Sequence, residues 1–229
     1  MSNLLYKLLL FILSCSLALT IYFKVEIINK GGPVIIAIIL CSIFAVAIII
    51  ERLINLYYAK RQMSGFMDEI VSALKRNRIS DALDICERNQ SSIANILRAG
   101  ISFYERSRHE IKEAVEDAAI HEVPTLEKNL SALATIAHVT PLIGLLGTVT
   151  GMVSTFQVIQ QNAQLMHPVD PSILAKGIWE ALITTVAGLI VAIPSFVAYN
   201  YLVAKVRALI VEMEIVSTDL VNILSQGKI

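Results

Sequence analysis

Small and hydroxyl side chains in two apolar segments are the residues of this sequence with the clearest chemical potential. In residues 129–157 they recur every three or four positions and so share one helical face, made of Thr140, Gly144, Thr148, Gly151 and Thr155. Residues 177–204 repeat the pattern with Gly177, Ala181, Thr185, Gly188, Ala192, Ser195 and Tyr199. Such faces let membrane helices approach closely and bond across the contact. Helix packing alone would explain either face. Because a face of threonines is unfavourable in contact with lipid, the presence of two such faces favours a polar lining shared by the two helices.

A single carboxylate, Glu180, lies within the second of these segments. A charged side chain at the bilayer centre costs on the order of 3 kcal/mol on insertion scales, so it normally marks a pathway or has a partner. Lys176 is four residues earlier on the same face, so an ion pair at the outer end of the helix is an equal alternative. His138 could relay protons, but a hydrogen-bonded packing histidine is the favoured interpretation.

Composition and cysteine spacing argue against several classes of protein. The formal net charge is zero, which gives no reason to expect nucleic-acid binding. Cys15, Cys41 and Cys86 have no metal-ligand spacing and are interpreted as small core hydrophobes. The sequence contains no nucleotide-binding loop, metal cluster or nucleophile–base pair. We therefore expect no cofactor, no bound metal and no enzyme activity.

Three long uncharged segments must position these residues. The chain is 55% hydrophobic and 17% charged, whereas a soluble domain usually carries about a quarter charged residues. Charged residues are absent from residues 31–50, 129–157 and 181–204, and each segment reaches the ~20 residues that a helix needs to cross ~30 Å of hydrocarbon. We predict an all-α integral membrane protein whose three core transmembrane helices extend into a cytoplasmic helical domain.

The distribution of Lys and Arg gives the predicted orientation. Twelve of the nineteen lie in residues 52–128, which places that region in the cytoplasm by the positive-inside rule. Within it, Ser80 and Asp81 are predicted to cap the start of a short helix. We expect transmembrane helices at residues 31–58, 129–157 and 177–204, a cytoplasmic domain at 59–128, a periplasmic loop at 158–176 and a cytoplasmic C-terminal helix at 205–229.

The N-terminal apolar segment and its short link, residues 1–30, leave three alternatives open. Residues 4–23 are long enough for an extra membrane helix. Lys7 before a short apolar run also fits a cleaved signal peptide, although no convincing small-x-small cleavage site follows. An interfacial helix is the third alternative. The prediction of a three-helix core does not depend on which of them is right.

Long motifs in both hydroxyl-bearing segments resemble those of a known family. LATIA at 133–137 and TPLIGLLGTVTGM at 140–152 are similar to the second-helix signature of the MotA/TolQ/ExbB proton-channel family. The motif GIWEALITTVAGL at 177–189, with AIP at 192–194 and AYN at 198–200, resembles the third-helix signature of the same family. ERL at 51–53 resembles the exit from its first helix. The resemblance runs over residues 31–204 and, within the family, looks most like ExbB. Trp179, where the family usually has a smaller residue, and residues 4–23 depart from the pattern.

The resemblance implies an assembly, a site and a function. The assembly would be a homopentamer in the bacterial inner membrane around two single-helix partners of the ExbD/TolR type, which supply an aspartate, and it would act on a TonB/TolA-like protein. The implied function is to couple proton-motive force to TonB-dependent outer-membrane transport; a TolQ-like or MotA-like role and a non-conducting scaffold are the alternatives. The implied pore-lining residues are Thr148 and Thr185, with Glu180 as the family's third-helix carboxylate. To the predicted pathway we add Thr184, Thr155 and Ser195, and to helix packing we assign Gly144, Gly147, Gly151, Gly177 and Gly188.

Overall fold

A computed structural model describes residues 32–76, 78–89, 91–165 and 170–226. Within these ranges the chain forms six helices and no strand: α1 (Gly32–Lys75), α2 (Ile79–Arg88), α3 (Ser92–Ser102), α4 (Arg108–Glu127), α5 (Leu130–Gln164) and α6 (Pro171–Gln226). The predicted all-α fold is therefore confirmed. The prediction for residues 4–23 lies outside the described residues.

The helices belong to two compact units, and the chain passes from one to the other at residues 50–51, 129–130 and 200–201. The apolar unit comprises the described residues up to 50 and from 130 to 200. The polar unit comprises the described residues from 51 to 129 and from 201 onward. Most of each uncharged segment found in the sequence falls in the apolar unit.

Three helical segments are long and apolar enough to cross a membrane: Pro33–Lys75, Arg108–Gln164 and Pro171–Ser225. With 35 residues in α5 and 56 in α6, both helices exceed the ~20 residues that a crossing requires. Large apolar side chains of the apolar unit are exposed, among them Phe44 at 61% and Leu142 at 63%. Exposed apolar surface of this kind suits lipid or another subunit better than water. The chain is a multi-pass membrane protein.

The polar unit has an apolar core of its own. Its largest fully buried side chains come from α1, α3, α4 and α6, and include Ile70, Ile96, Leu97, Ile101, Ile111 and Leu220. The helices approach closely at Gly100, because a Cβ there would lie 2.6 Å from Cγ2 of Val115 and 3.0 Å from Cδ2 of Leu220. A larger residue at position 100 would therefore require the Val115 and Leu220 side chains, or α3 itself, to shift.

Serine caps begin two of the helices in the polar unit. The Ser91 hydroxyl accepts a hydrogen bond from the Ala94 N–H at the start of α3 (3.3 Å). At the start of α4, Ser107 and Glu110 form a reciprocal capping box, in which each side chain accepts from the backbone N–H of the other residue. These bonds satisfy N–H groups that the first turn of a helix leaves without partners.

The start of α2 differs from the prediction. The helix begins at Ile79, and its cap residue Arg78 makes no capping bond through its side chain. Ser80 and Asp81 therefore lie inside the first turn, and the predicted cap is wrong. Asp81 instead accepts from the Arg78 guanidinium at 3.5 Å, and its negative charge suits the N-terminal end of the helix dipole.

Residues just before α5 and α6 determine where these two helices start. Asn129 separates α4 from α5 with a φ of 62°, a left-handed conformation that Asn tolerates better than most residues. α6 begins at Pro171, where the missing N–H costs nothing. The Asp170 carboxylate accepts the Ser172 N–H at 2.8 Å. This bond holds the pKa of Asp170 below its usual value because it stabilises the charged form.

Candidate functional site

The two hydroxyl-bearing helices, α5 and α6, pack antiparallel along their small-residue faces. The facing pairs are Thr155 with Gly177, Gly151 with Ala181, Gly147 with Thr184, and Gly144 with Gly188. A Cβ on Gly144 would lie 2.9 Å from the Thr184 carbonyl oxygen, and one on Gly188 would lie 2.8 Å from the Thr140 carbonyl oxygen. We call the contact made by these facing pairs the glycine seam. All five glycines that the sequence analysis assigned to helix packing lie in it.

Three of the hydroxyl residues predicted for the pathway are buried within the apolar unit. Thr155, Thr184 and Ser195 are only 5%, 2% and 3% exposed. Their hydroxyls donate to backbone carbonyls, those of Gly151 at 2.9 Å, Ala181 at 2.7 Å and Val191 at 2.7 Å, respectively. Because a buried hydroxyl without a partner is costly, these bonds make the burial tolerable. In the single chain these three side chains fill the interior of the unit.

Thr148 and Thr185 lie at the edge of the glycine seam. Each follows a seam residue directly, Gly147 or Thr184, and each is half-buried. The Thr185 hydroxyl donates across the helix contact to the Gly144 carbonyl at 3.1 Å, whereas the Thr148 hydroxyl donates within α5 to the Leu145 carbonyl at 2.7 Å. Both side chains keep part of their surface open, so a group outside this chain can reach them.

Glu180 is half-buried near the start of α6. Neither a hydrogen bond nor an ion pair joins its carboxylate to any other described residue, and Lys176, one turn earlier, is exposed. The ion pair that the sequence offered as an alternative is therefore not formed. The neighbouring residue Ala181 faces Gly151 in the glycine seam, so the carboxylate lies beside the seam near one end.

The exposed His138 side chain is held by two contacts within the apolar unit. Its Nδ1 lies 2.6 Å from the Ala134 carbonyl oxygen, and because a carbonyl can only accept, Nδ1 carries the proton in this bond. The ring stands edge-on to Phe196, with ring centroids 5.8 Å apart. The hydrogen bond agrees with the interpretation favoured for His138 from the sequence, whereas the exposure of the ring in the single chain leaves its packing role a prediction.

The polar unit contains a charged cluster that was not predicted from the sequence. Arg52 is only 4% exposed; its guanidinium donates to the Thr125 carbonyl at 3.3 Å and to the Glu51 carboxylate. The other Glu51 oxygen accepts from the Asn129 amide at 2.8 Å. The cluster therefore ties α1 to the last turn of α4 and to the left-handed residue that follows. Its sequence signal was a Glu–Arg pair directly after one uncharged segment and an Asn at the first position of the next.

No group of three or more His, Cys, Asp or Glu side chains within the described ranges is placed to hold a metal ion. What α5 and α6 offer chemically is a line of hydroxyls in two helices of membrane-spanning length, with one carboxylate beside it. Such a line can bind water or a polar side chain from another protein within the apolar surroundings of a membrane.

Comparisons with known proteins agree with this architecture. Residues 88–215, more than half of the chain, match the sequence model of the MotA/TolQ/ExbB proton channel family. The chain is 32% identical over 187 residues to the Tol-Pal system protein TolQ of Haemophilus influenzae, covering 77% of this chain and 80% of that one. It is 27% identical over 217 residues to the biopolymer transport protein ExbB of Neisseria meningitidis, covering 86% and 96%. A biopolymer transport protein ExbB homolog of Methanothermobacter thermautotrophicus is 29% identical over 195 residues, covering 83% and 67%.

Proposed function

Since the chain belongs to the MotA/TolQ/ExbB proton channel family, we propose that it is the ExbB-like subunit of an inner-membrane motor. In this role it couples the proton-motive force to TonB-dependent transport across the outer membrane. The family is one of proton channels and not one of enzymes. The observation that carries the proposal is the glycine seam, with Thr148 and Thr185 at its edge in two helices long enough to span the membrane.

In the proposed pathway, Thr148 and Thr185 line the pore and Glu180 lies near its outer end. Both threonines are half-buried in the single chain and keep open surface. Thr184, Thr155 and Ser195 belong to the same hydroxyl-rich helices but are buried, so in this pathway they pack behind the pore-lining threonines. The five glycines of the seam allow α5 and α6 to approach closely enough to bring the two open hydroxyls to one surface.

The carrier of the proton must come from a partner. Glu180 is the only carboxylate between residues 171 and 204, so this chain by itself is an incomplete proton wire. We propose that a homopentamer of this chain surrounds single-helix partners of the ExbD/TolR type, whose carboxyl group carries the proton past the threonines. Proton flow through this complex then drives a TonB/TolA-like protein. The membrane potential supplies about 2.3 kcal/mol per proton per 100 mV.

The proposed topology places the polar unit in the cytoplasm and the loop between α5 and α6 in the periplasm. The supporting observation is that twelve of the nineteen Lys and Arg residues lie between Arg52 and Lys128. Protons would then enter at the Glu180 end of α6 and leave toward the polar unit. Residues 31–58, 129–157 and 177–204 are the proposed membrane crossings.

The experiment compares the full chain alone with the complex that copurifies from its native host. Each is reconstituted into liposomes, and proton uptake is driven by a potassium diffusion potential. We expect flux from the complex and only background from the chain alone. Flux from the chain alone, well above that of empty liposomes, would rule out the need for a partner. Background flux from an intact complex would favour the non-conducting scaffold.

The copurified partner also separates the alternatives within the family. An ExbD-like single-helix protein supports the ExbB-like role, whereas a TolR-like protein would assign the chain to a TolQ-like role. This distinction matters because relatives named ExbB and relatives named TolQ both match the chain over most of its length.

A further inference from the structure

The polar unit contains a cavity of about 300 Å³ between α1, α3, α4 and α6. This volume lies at the lower end of the range of pockets that hold small ligands, about 300–1,000 Å³. Buried apolar side chains form part of its wall, among them Leu56, Ile93 and Met213. Among the described residues that line the cavity, Arg52 is the only charged one. The cavity therefore combines an apolar wall with one positive charge.

One donor of the Arg52 guanidinium has no partner. Nη1 and Nη2 donate to the Thr125 carbonyl and to the Glu51 carboxylate. The Nε–H is fully buried and meets no acceptor in the described part of the chain. Because most buried donors in proteins are hydrogen-bonded, an N–H left without an acceptor indicates that another molecule supplies one. Arg52 lines the cavity, so that acceptor would lie in the cavity.

The start of α3 brings further donors to the same cavity. Ser92 and Ile93 are the first two residues of this 11-residue helix, and both line the cavity. The Ser91 hydroxyl accepts the Ala94 N–H, whereas the N–H groups of Ser92 and Ile93 have no acceptor among the described residues. Free N–H groups and the helix dipole make such an end attractive to anions. Arg52 and α3 therefore favour the same kind of ligand.

We propose that this cavity binds a phosphoryl group, whose oxygens accept hydrogen bonds from Arg52 Nε and from the first turn of α3. A phosphoryl group carries several strong acceptor oxygens that point in different directions, so it can reach donors on two helices at once. Arginine and helix N-termini are both common phosphate-binding groups in proteins. The proposal concerns the polar unit and does not depend on proton conduction.

The position of the cavity along α1 favours a phospholipid as the source of this group. α1 runs unbroken from the uncharged residues 32–50 through Arg52 and Asn55. Roughly 18 residues at ~1.5 Å each span about 27 Å, close to the ~30 Å of the hydrocarbon core, so the residues that follow reach the level of the headgroups. The exposed Tyr57 and Tyr58 suit that level. Only this choice of source rests on the proposed topology.

Glu51 limits the affinity of the proposed site. Its carboxylate accepts from Arg52, from the Asn55 amide at 3.3 Å and from the Asn129 amide at 2.8 Å. Because Glu51 is a negative charge bonded to the same guanidinium, it opposes a second anion beside Arg52. Glutamine at position 51 would remove this charge and keep an oxygen that accepts hydrogen bonds. The two members of one ion pair should therefore have opposite effects on binding.

The test is isothermal titration calorimetry of the full chain, purified in an uncharged detergent and depleted of lipid. One probe is the short-chain phospholipid dihexanoyl phosphatidylglycerol, and the other is inorganic phosphate. We expect Arg52→Gln to weaken binding at least about tenfold, the size of one hydrogen bond to a charged group. Glu51→Gln should strengthen it about threefold to fivefold, the effect of removing one like charge a few ångströms away in a solvated site.

Ser92→Glu tests the site without disturbing Arg52. A glutamate in the first turn of a helix is favourable for folding, but at this position its carboxylate would repel a phosphoryl group in the cavity. We expect this variant to lose binding while its melting temperature stays the same or rises. Ser80→Glu is the matched control, because Ser80 is an exposed serine in the first turn of α2 that does not line the cavity. It should bind both probes like the wild type.

The two probes separate the possible sources of the phosphoryl group. Binding of the lipid alone supports the site with a membrane source, and binding of phosphate alone supports it with a soluble source. Lipid binding that ignores Arg52→Gln and Ser92→Glu would show recognition of the acyl chains only and would overturn the proposal. Absence of binding by both probes would overturn it too, since the cavity then holds water only. None of these readouts uses proton flux, so a failure of the proposed function leaves this test intact.

Discussion

A methyl group added at Gly188 should separate α5 from α6. A Cβ at this position would lie 2.8 Å from the Thr140 carbonyl oxygen and 3.3 Å from Cα of Gly144. Both neighbours are backbone atoms and cannot turn aside as a side chain would. Since a carbon–oxygen contact normally needs about 3.3 Å or more, Gly188→Ala requires the helices to move apart by roughly half an ångström.

The expected cost follows from three contributions. Overpacking of a close-packed contact costs about 1–3 kcal/mol. The Thr185 bond to the Gly144 carbonyl, already 3.1 Å long, would be weakened, with a loss of up to ~0.6 kcal/mol. Alanine regains up to about 1 kcal/mol because it favours the helix over glycine. We therefore expect Gly188→Ala to lower the free energy of unfolding by about 1–2 kcal/mol.

Gly65→Ala is the matched control. Gly65 also lies within a helix, α1, but a Cβ there would have no atom within 4 Å. The same chemical change should stabilise the protein by up to about 1 kcal/mol through helix propensity alone. Thermal unfolding of both variants in lipid nanodiscs, followed by circular dichroism, measures the difference. If Gly188→Ala is as stable as Gly65→Ala, the helix backbones are not in contact at the seam, and the reasoning fails.

Three further predictions concern the polar unit and the topology. Arg52→Ala should lower the free energy of unfolding by about 2 kcal/mol, which is less than the loss of a fully buried ion pair would cost because the Glu51 side chain is 42% exposed. Arg52→Lys should restore only part of this stability. An unchanged free energy of unfolding in Arg52→Ala would contradict the role of the cluster. Burial raises the pKa of the Cys86 thiol from 9.0 to about 11, so alkylation of this thiol at pH 8 should require unfolding, and rapid alkylation of the folded protein would contradict this. The free energy of unfolding should also fall as the pH rises from about 9 to about 11, because the thiol of the unfolded chain ionises first. A cysteine at Gln161 should react with an impermeant maleimide added to spheroplasts, whereas one at Arg106 should not, and the reverse pattern would invert the proposed topology.

The fold was predictable from the sequence because its main signals are long and physically simple. Three uncharged segments indicated three membrane-spanning helices, and the periodic small residues indicated which faces of α5 and α6 would meet. What periodicity could not resolve was the direction of individual side chains near the edge of a face. Thr148 was counted with Gly144 and Gly151 on one face, yet Gly147 is the residue that meets Thr184, and Thr148 lies beside the seam.

Local helix ends and the charged cluster were harder to predict, because each depends on contacts distant in sequence. Ser80 and Asp81 have the right chemistry for a cap, but α2 starts before both of them, at Ile79. From the sequence, Arg52 is one of the twelve Lys and Arg residues of the predicted cytoplasmic region. Its burial follows only when Thr125, 73 residues away, supplies a carbonyl. The direction of the Thr185 hydrogen bond likewise depends on the packing of Gly144 against α6, which single-residue propensities do not contain.

The most direct test of the central claim is proton flux through the reconstituted complex with single hydroxyls removed. Thr148→Val and Thr185→Val delete one half-buried hydroxyl each, and Thr150→Val deletes an exposed α5 hydroxyl whose hydrogen bonds stay within that helix. Valine keeps nearly the shape of threonine, and a lost interhelical bond averages only ~0.6 kcal/mol, so oligomer yield should stay close to that of the wild type. We predict that the first two variants assemble but conduct no protons, while Thr150→Val conducts like the wild type. Wild-type flux from assembled Thr148→Val and Thr185→Val would show that these hydroxyls serve packing alone and would contradict the proposed pathway.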